Sequence, residues 1–198
     1  MSYESLLALA VFAWVTSITP GPSNLMLLAS GANFGFRATL PQVLGITLGF
    51  TTLLLAVGLG LGALLTAFPA LHLALKIAGG AYLLHLAWRI ARSSALGDGN
   101  TKPGRPLTLI ESAAFQWINP KAWVVALAAM AVYASPASPY LSMALVCLVF
   151  ALVNLPTVSA WAAFGVALRG YLAQPGRLKR FNVAMGLLLA ATLWPMLS

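Results

Sequence analysis

Thr19-Pro20-Gly21-Pro22-Ser23-Asn24 interrupts a stretch without charge that runs from Ser5 to Phe36. Apolar sequence lies on both sides, yet two prolines flanking a glycine should break a helix. Pro20 and Pro22 offer no N–H to the carbonyls of Thr16 and Ile18, four residues back. In hydrocarbon such carbonyls are tolerated only where they are buried against protein or line a cavity. A second break, Asn119-Pro120-Lys121, stands 100 residues later in another apolar segment. Whether the two breaks form one site decides what the chain does.

Of the 198 residues, 61% are hydrophobic and 7% are charged, against about 25% charged in a soluble domain. Composition therefore predicts an all-α integral membrane protein, a single transmembrane domain with no soluble one added. A net charge of +8 would suit nucleic acid in a soluble protein. Here the basic residues fall in short loops between apolar runs, where they orient a chain in the lipid bilayer. No basic patch alternates with exposed aromatics, which excludes nucleic acid as a partner. Cys147 is the single cysteine, so no internal disulfide and no metal site are expected. Met1-Ser2-Tyr3-Glu4 lacks the basic region of a signal peptide, and the first apolar segment is expected to stay as a span.

Six spans of about 20 residues or more are predicted. The first carries the Thr19–Asn24 break, with Ser2 and Glu4 suited to its start. The second runs from about Leu40 to Ala67, with Pro41 in its first turn. Its Gly45/Gly49 and Gly58/Gly62 pairs are spaced to let helix backbones approach. The third covers Leu71 to Trp88 and ends at Arg89 and Arg92. Ser93 to Pro106 reads as a solvent loop. Thr108-Leu109-Ile110-Glu111 reads as a capping box opening the fourth span, which contains the second break and reaches Ala134. The fifth extends from Tyr140 to Leu168, with a milder interruption at Asn154-Leu155-Pro156. Arg169 to Arg180 is expected to be a basic connection, and the sixth span lies near Phe181 to Leu197.

Nine of the eleven basic residues fall in the first, third and fifth connections. The positive-inside rule then puts those connections in the cytoplasm and both termini outside. Two halves, about 1–93 and 108–198 joined by a cytoplasmic loop at 94–107, enter the membrane from opposite sides. Each begins with a broken helix. Paired breaks in inverted three-helix repeats point to a transporter's midplane binding site.

The first break offers a half-helix N-terminus, which attracts a carboxylate, and freed carbonyls, which attract an ammonium group. Thr16, Ser17, Thr19, Ser23 and Asn24 add donors and acceptors around Pro20, Gly21 and Pro22. A plain proline kink is the competing reading; two prolines, a glycine and flanking polar residues favour a site. In the second break, Asn119, Pro120 and Lys121 bring the one ionisable group well inside a span, a candidate for binding a carboxylate, coupling to protons or gating. Against that stands a lysine that snorkels to the interface. Glu111 is a second candidate for proton coupling, although the capping box explains it without one. His85 is a third, better read as a satisfied interior histidine. Gln42, Gln116 and Asn154 are candidates to line a cavity or to hydrogen-bond between helices. No nucleophile–base pair, carboxylate pair or phosphate loop is visible. No catalytic residue or cofactor is therefore assigned. A membrane-embedded or lipid-modifying enzyme and a non-transporting membrane partner remain the alternatives to a carrier.

The break motif, Gly35-Phe36-Arg37, Gly45-Ile46-Thr47-Leu48-Gly49, Gly79-Gly80-Ala81-Tyr82-Leu83 and Phe115-Gln116-Trp117-Ile118-Asn119-Pro120-Lys121-Ala122 together resemble the lysine-exporter family, of LysE/RhtB type. The resemblance covers essentially the whole chain. It implies a six-span inner-membrane secondary transporter that exports small amino acids or derivatives, with proton antiport as the driving force. The branch that exports cysteine and O-acetylserine is the most similar, with homoserine, threonine and leucine exporters close to it. Homo-oligomerisation is left open.

Overall fold

The computed structural model describes residues 1–93 and 104–194. Most of the expected solvent loop and the last residues of the sixth span lie outside these. Among the described residues all regular structure is helical: α1 (Tyr3–Ile18), α2 (Pro22–Phe34), α3 (Phe36–Ala56), α4 (Gly62–Ala67), α5 (Pro69–Ala91), α6 (Leu109–Ile118), α7 (Pro120–Tyr133), α8 (Pro139–Ala167), α9 (Arg169–Leu172) and α10 (Pro175–Ala191).

Both predicted breaks occur. α1 and α2 meet at a bend of 58°, and α6 gives way to α7 at Asn119, which has extended backbone. Phe36–Leu61 and Pro139–Ala167 are each long and apolar enough to cross a membrane, and the bent α1–α2 pair makes a third such segment. At about 1.5 Å per residue, the 26 and 29 residues of the two unbroken segments exceed a hydrocarbon core of about 30 Å. The chain is an all-α membrane protein.

Several local expectations are corrected. α3 begins at Phe36, directly after Gly35, so Pro41 lies inside the helix and not in its first turn. The fifth span is not interrupted. α8 runs through Asn154-Leu155-Pro156, because one proline on an exposed face removes a single helical hydrogen bond and its neighbours keep theirs. The basic connection is largely helical, forming α9 and the first turns of α10, which opens with Pro175 at its N-terminus. A π-helical turn at Val57–Leu61 separates α3 from α4; there Gly60 has φ 106°, a region glycine enters without penalty.

The largest interfaces join elements from opposite sides of the 94–103 segment. α2 packs on α8, α3 on α6 and α8, α1 on α8, and α5 on α10. At the α3–α6 crossing, a Cβ on Gly45 would strike the Leu109 carbonyl and one on Gly49 the backbone of Ala113. This is the backbone approach expected for that pair. Gly58 and Gly62 instead face the side chains of Met143 and Leu127, so they make room for side chains, not for a helix backbone. The α2–α8 crossing is equally close, with Gly31 against the Ala162 carbonyl and Gly165 against that of Leu28. These two crossings hold the halves of the broken helices in place.

Candidate functional site

The two breaks come together. Thr19 and Gly21 are extended, so the chain leaves α1 and re-enters α2 without a continuous hydrogen-bond ladder. The carbonyls at the end of α1 are met by side chains from elsewhere. Trp161 Nε1 donates to Ile18 O at 3.2 Å, and Asn24 Nδ2 donates to Ser17 O at 2.8 Å and Thr19 O at 2.9 Å. Lys121 Nζ also donates to Thr19 O, at 2.6 Å. An ammonium group thus sits at the negative end of the α1 dipole.

Across the break, α2 opens without a side-chain cap. Gly21 is the N-cap, Pro22 follows it, and the first helical N–H bond is Leu25 N to Gly21 O at 3.0 Å. The N–H groups of Ser23 and Asn24 therefore have no intrahelical acceptor. α7 is different: its N-cap, Asn119, accepts from Lys121 N at 3.2 Å. One half-helix end is closed by its own residue, and the other is open.

Ser23 ties the breaks together. Its hydroxyl accepts from Asn119 Nδ2 at 3.2 Å and from Gln116 Nε2 at 3.1 Å. Asn154 Nδ2 donates to Ser17 Oγ at 3.2 Å, and Thr47 Oγ1 donates to Asn154 Oδ1 at 3.1 Å, so α1, α3 and α8 are joined by buried polar groups. All of these residues but Thr47 line a cleft whose polar wall also includes Thr16 and Lys121, and whose apolar wall includes Ile46, Phe50, Phe150 and Val158. No carboxylate is among the lining residues.

The predicted residues Thr16, Gly21, Asn24, Gln116, Asn119, Lys121 and Asn154 all line this cleft. Thr19 contributes its carbonyl, Pro20 is exposed, and Pro22 and Pro120 start the half-helices. Gln42 is elsewhere: it is buried beside a second cavity, along the C-terminal half of α2. His85 is exposed and stacks on Tyr82, 6.2 Å between ring centroids, so it is not an interior histidine. α5 turns Leu83, Leu86 and Ala87 inward instead, on the opposite face of the same helix. Phe50 lines the cleft, and Thr47 and Trp161 hydrogen-bond to groups beside it; nothing in the local sequence marks Phe50 or Trp161. Each is an ordinary residue of an apolar run until the helices are packed.

Glu111 lies at the first turn of α6, outside the cleft. One oxygen accepts from Thr108 N at 2.8 Å in a complete capping box, and both accept from Arg105, at 2.7 Å each. Its acceptor capacity is spent on local structure. Glu111→Gln is therefore expected to keep any transport through the cleft within about twofold of the parent, since exposed ion pairs contribute little and Glu111 does not line the cleft. A pH profile of transport that changed shape in this variant would show a coupling role instead.

Asn24 is the side chain that spans the first break. Asn24→Ala leaves two carbonyls with one partner fewer and is expected to lower stability by about 1–3 kcal/mol, read as a lower thermal midpoint in detergent. An unchanged midpoint would mean that water replaces the amide at no cost.

Residues 14–194 match the family model described as LysE type translocator. The chain is 31% identical over 191 residues to the cysteine/O-acetylserine efflux protein of Escherichia coli (strain K12), covering 96% of this chain and 95% of that protein. The protein of the same description from Escherichia coli O1:K1 / APEC is 32% identical over 192 residues, with 96% and 95% covered. That from Shigella flexneri is 31% identical over 186 residues, with 93% of each chain covered. No solved structure matches.

Proposed function

The chain belongs to the LysE type translocator family, and from that membership we propose that it exports cysteine, O-acetylserine or a similar small neutral amino acid from the cytoplasm. The family is one of translocators, so the alternative of a membrane enzyme falls away. The chain forms six spans in the inner membrane, as two inverted halves of about 1–93 and 108–198, with both termini outside. Interfaces that pair elements of one half with elements of the other support that arrangement.

One observation carries the reading: the paired breaks enclose a single cleft bearing an open helix N-terminus and one ammonium group. The substrate carboxylate docks on the free N–H groups of Ser23 and Asn24 and draws Lys121 Nζ towards it. The substrate ammonium faces the Thr16 and Thr19 carbonyls at the negative end of α1. Ile46, Phe50, Phe150 and Val158 enclose a short uncharged side chain. A lining without a carboxylate disfavours lysine or arginine as cargo, because a second cation beside Lys121 would be unpaired.

Alternating access moves one half against the other around this cleft, and proton antiport drives it. The test is export from cells or vesicles loaded with radiolabelled amino acids. Cysteine and O-acetylserine should leave faster than in vector controls, lysine should not, and collapse of the proton gradient should stop net export. Unchanged efflux after the gradient is collapsed would remove the antiport, and no efflux of any amino acid would remove the reading itself.

A further inference from the structure

The second cavity is similar in size to the first and lies along the other end of α2, lined by Ser30, Asn33, Gln42, Arg89 and Ser93 among others. Asn24 of the first cleft and Asn33 of the second are nine residues apart on one helix, so roughly 13 Å separates them. Met26, which lines the second cavity, is buried in one cluster with Phe115, the neighbour of Gln116 in the first.

One group in this cavity lacks a partner and a second is only weakly held. Gln42 is only 1% exposed, and its Oε1 accepts no hydrogen bond. Arg89 has one contact, a long one of 3.5 Å to the Arg105 carbonyl. Among the described residues the only ion pair is Arg105–Glu111, so the Arg89 charge has no carboxylate against it. A buried amide oxygen without a donor is costly, and a guanidinium is shaped to take a carboxylate through two N–H groups.

Asn33, by contrast, is fully occupied. It exchanges amide hydrogen bonds with Asn182 at 2.7 and 2.9 Å, and Asn182 Nδ2 also donates to Ser93 O at 2.5 Å. This network joins α2 and α10 to Ser93, just past the end of α5. The unpartnered acceptor and the weakly held cation therefore stand beside a scaffold already satisfied, which is what a built site requires.

We infer that this cavity is a second substrate site, on the cytoplasmic side, where an α-amino acid rests with its carboxylate on Arg89 and its ammonium on Gln42 before it reaches the central cleft. Met26, Leu86 and Leu107 provide an apolar wall for its side chain. The inference rests on the export reading above, and Arg89 and Arg105 place the cavity at the basic, cytoplasmic face of the fold.

The test compares the two faces of the membrane. With O-acetylserine as probe, Arg89→Gln should raise KM about tenfold, the usual cost of a lost hydrogen bond to a charged group, when substrate is offered to the cytoplasmic face of inverted vesicles. It should leave kcat near the parent value and the KM from the opposite face unchanged. Gln42→Leu should do the same to a smaller degree. Equal effects from both faces, or none, would overturn the second site.

If the parent protein transports no amino acid, the export reading fails and the cavity is tested alone. Gln42→Cys, in a Cys147→Ser background, is then labelled with a maleimide in detergent. Protection by L-serine or O-acetylserine supports the site, and labelling at an unchanged rate overturns it.

Discussion

Lys121→Met is expected to abolish export, lowering the rate about 100-fold or more, while the protein still accumulates in the membrane. The Lys121 ammonium is the one formal charge in the central cleft, and it reaches across from α7 to the Thr19 carbonyl at the first break. Removing it takes away the charged donor proposed for the substrate carboxylate, worth about 3 kcal/mol at the upper end of such bonds. Methionine keeps the length and the apolar stem, so the loss falls on the charge. Lys121→Arg is expected to fail nearly as badly. The lysine arm lies against Gly21, where an added Cβ would stand 2.8 Å from Lys121 Cδ, leaving no width for a planar guanidinium. Efflux of radiolabelled O-acetylserine, normalised to the amount of protein in the membrane, reads both variants. Parental efflux by Lys121→Met would remove the lysine from the site.

Gly165→Leu is expected to prevent folding to a monodisperse protein, and Gly31→Leu to do the same from the facing helix. Each glycine lies against a main-chain carbonyl of the other helix, Gly165 against Leu28 and Gly31 against Ala162. A side chain there cannot be accommodated by a rotamer change. The helices must separate, and α2 must leave α8, which also supplies Asn154 and Trp161 to the cleft. Overpacking a tight core costs about 1–3 kcal/mol even when side chains can yield, and here the backbone is the obstacle. Gly176→Leu is the control, because nothing lies within 4 Å of that position. Yield and elution profile after detergent extraction separate the outcomes; normal recovery of Gly165→Leu would mean that the α2–α8 crossing is looser than described.

Breaks and caps were legible in the chain because they depend on the backbone chemistry of a few adjacent residues. Pro20, Pro22 and Pro120 lack an N–H wherever the helices later pack, and Thr108 with Glu111 makes its cap within one turn. The pairing of Gly45 and Gly49 was legible for the same reason, as a spacing on one helix face. Pro156 was misread because a single proline bends or breaks a helix according to what its neighbours can still bond, and α8 keeps its neighbours bonded.

The sequence by itself determined that this is a membrane protein with two broken helices, a lysine at the second break and a family resemblance covering the whole chain. Only the tertiary structure decided that Lys121 reaches the Thr19 carbonyl, that Ser23 collects Asn119 and Gln116, and that Trp161 fills the Ile18 carbonyl. It also moved Gln42 to a second cavity and His85 to the surface. The physical reason is range: an orphan carbonyl is specified by the residue four positions on, whereas the donors Trp161 and Lys121 that meet the Ile18 and Thr19 carbonyls lie 143 and 102 residues away.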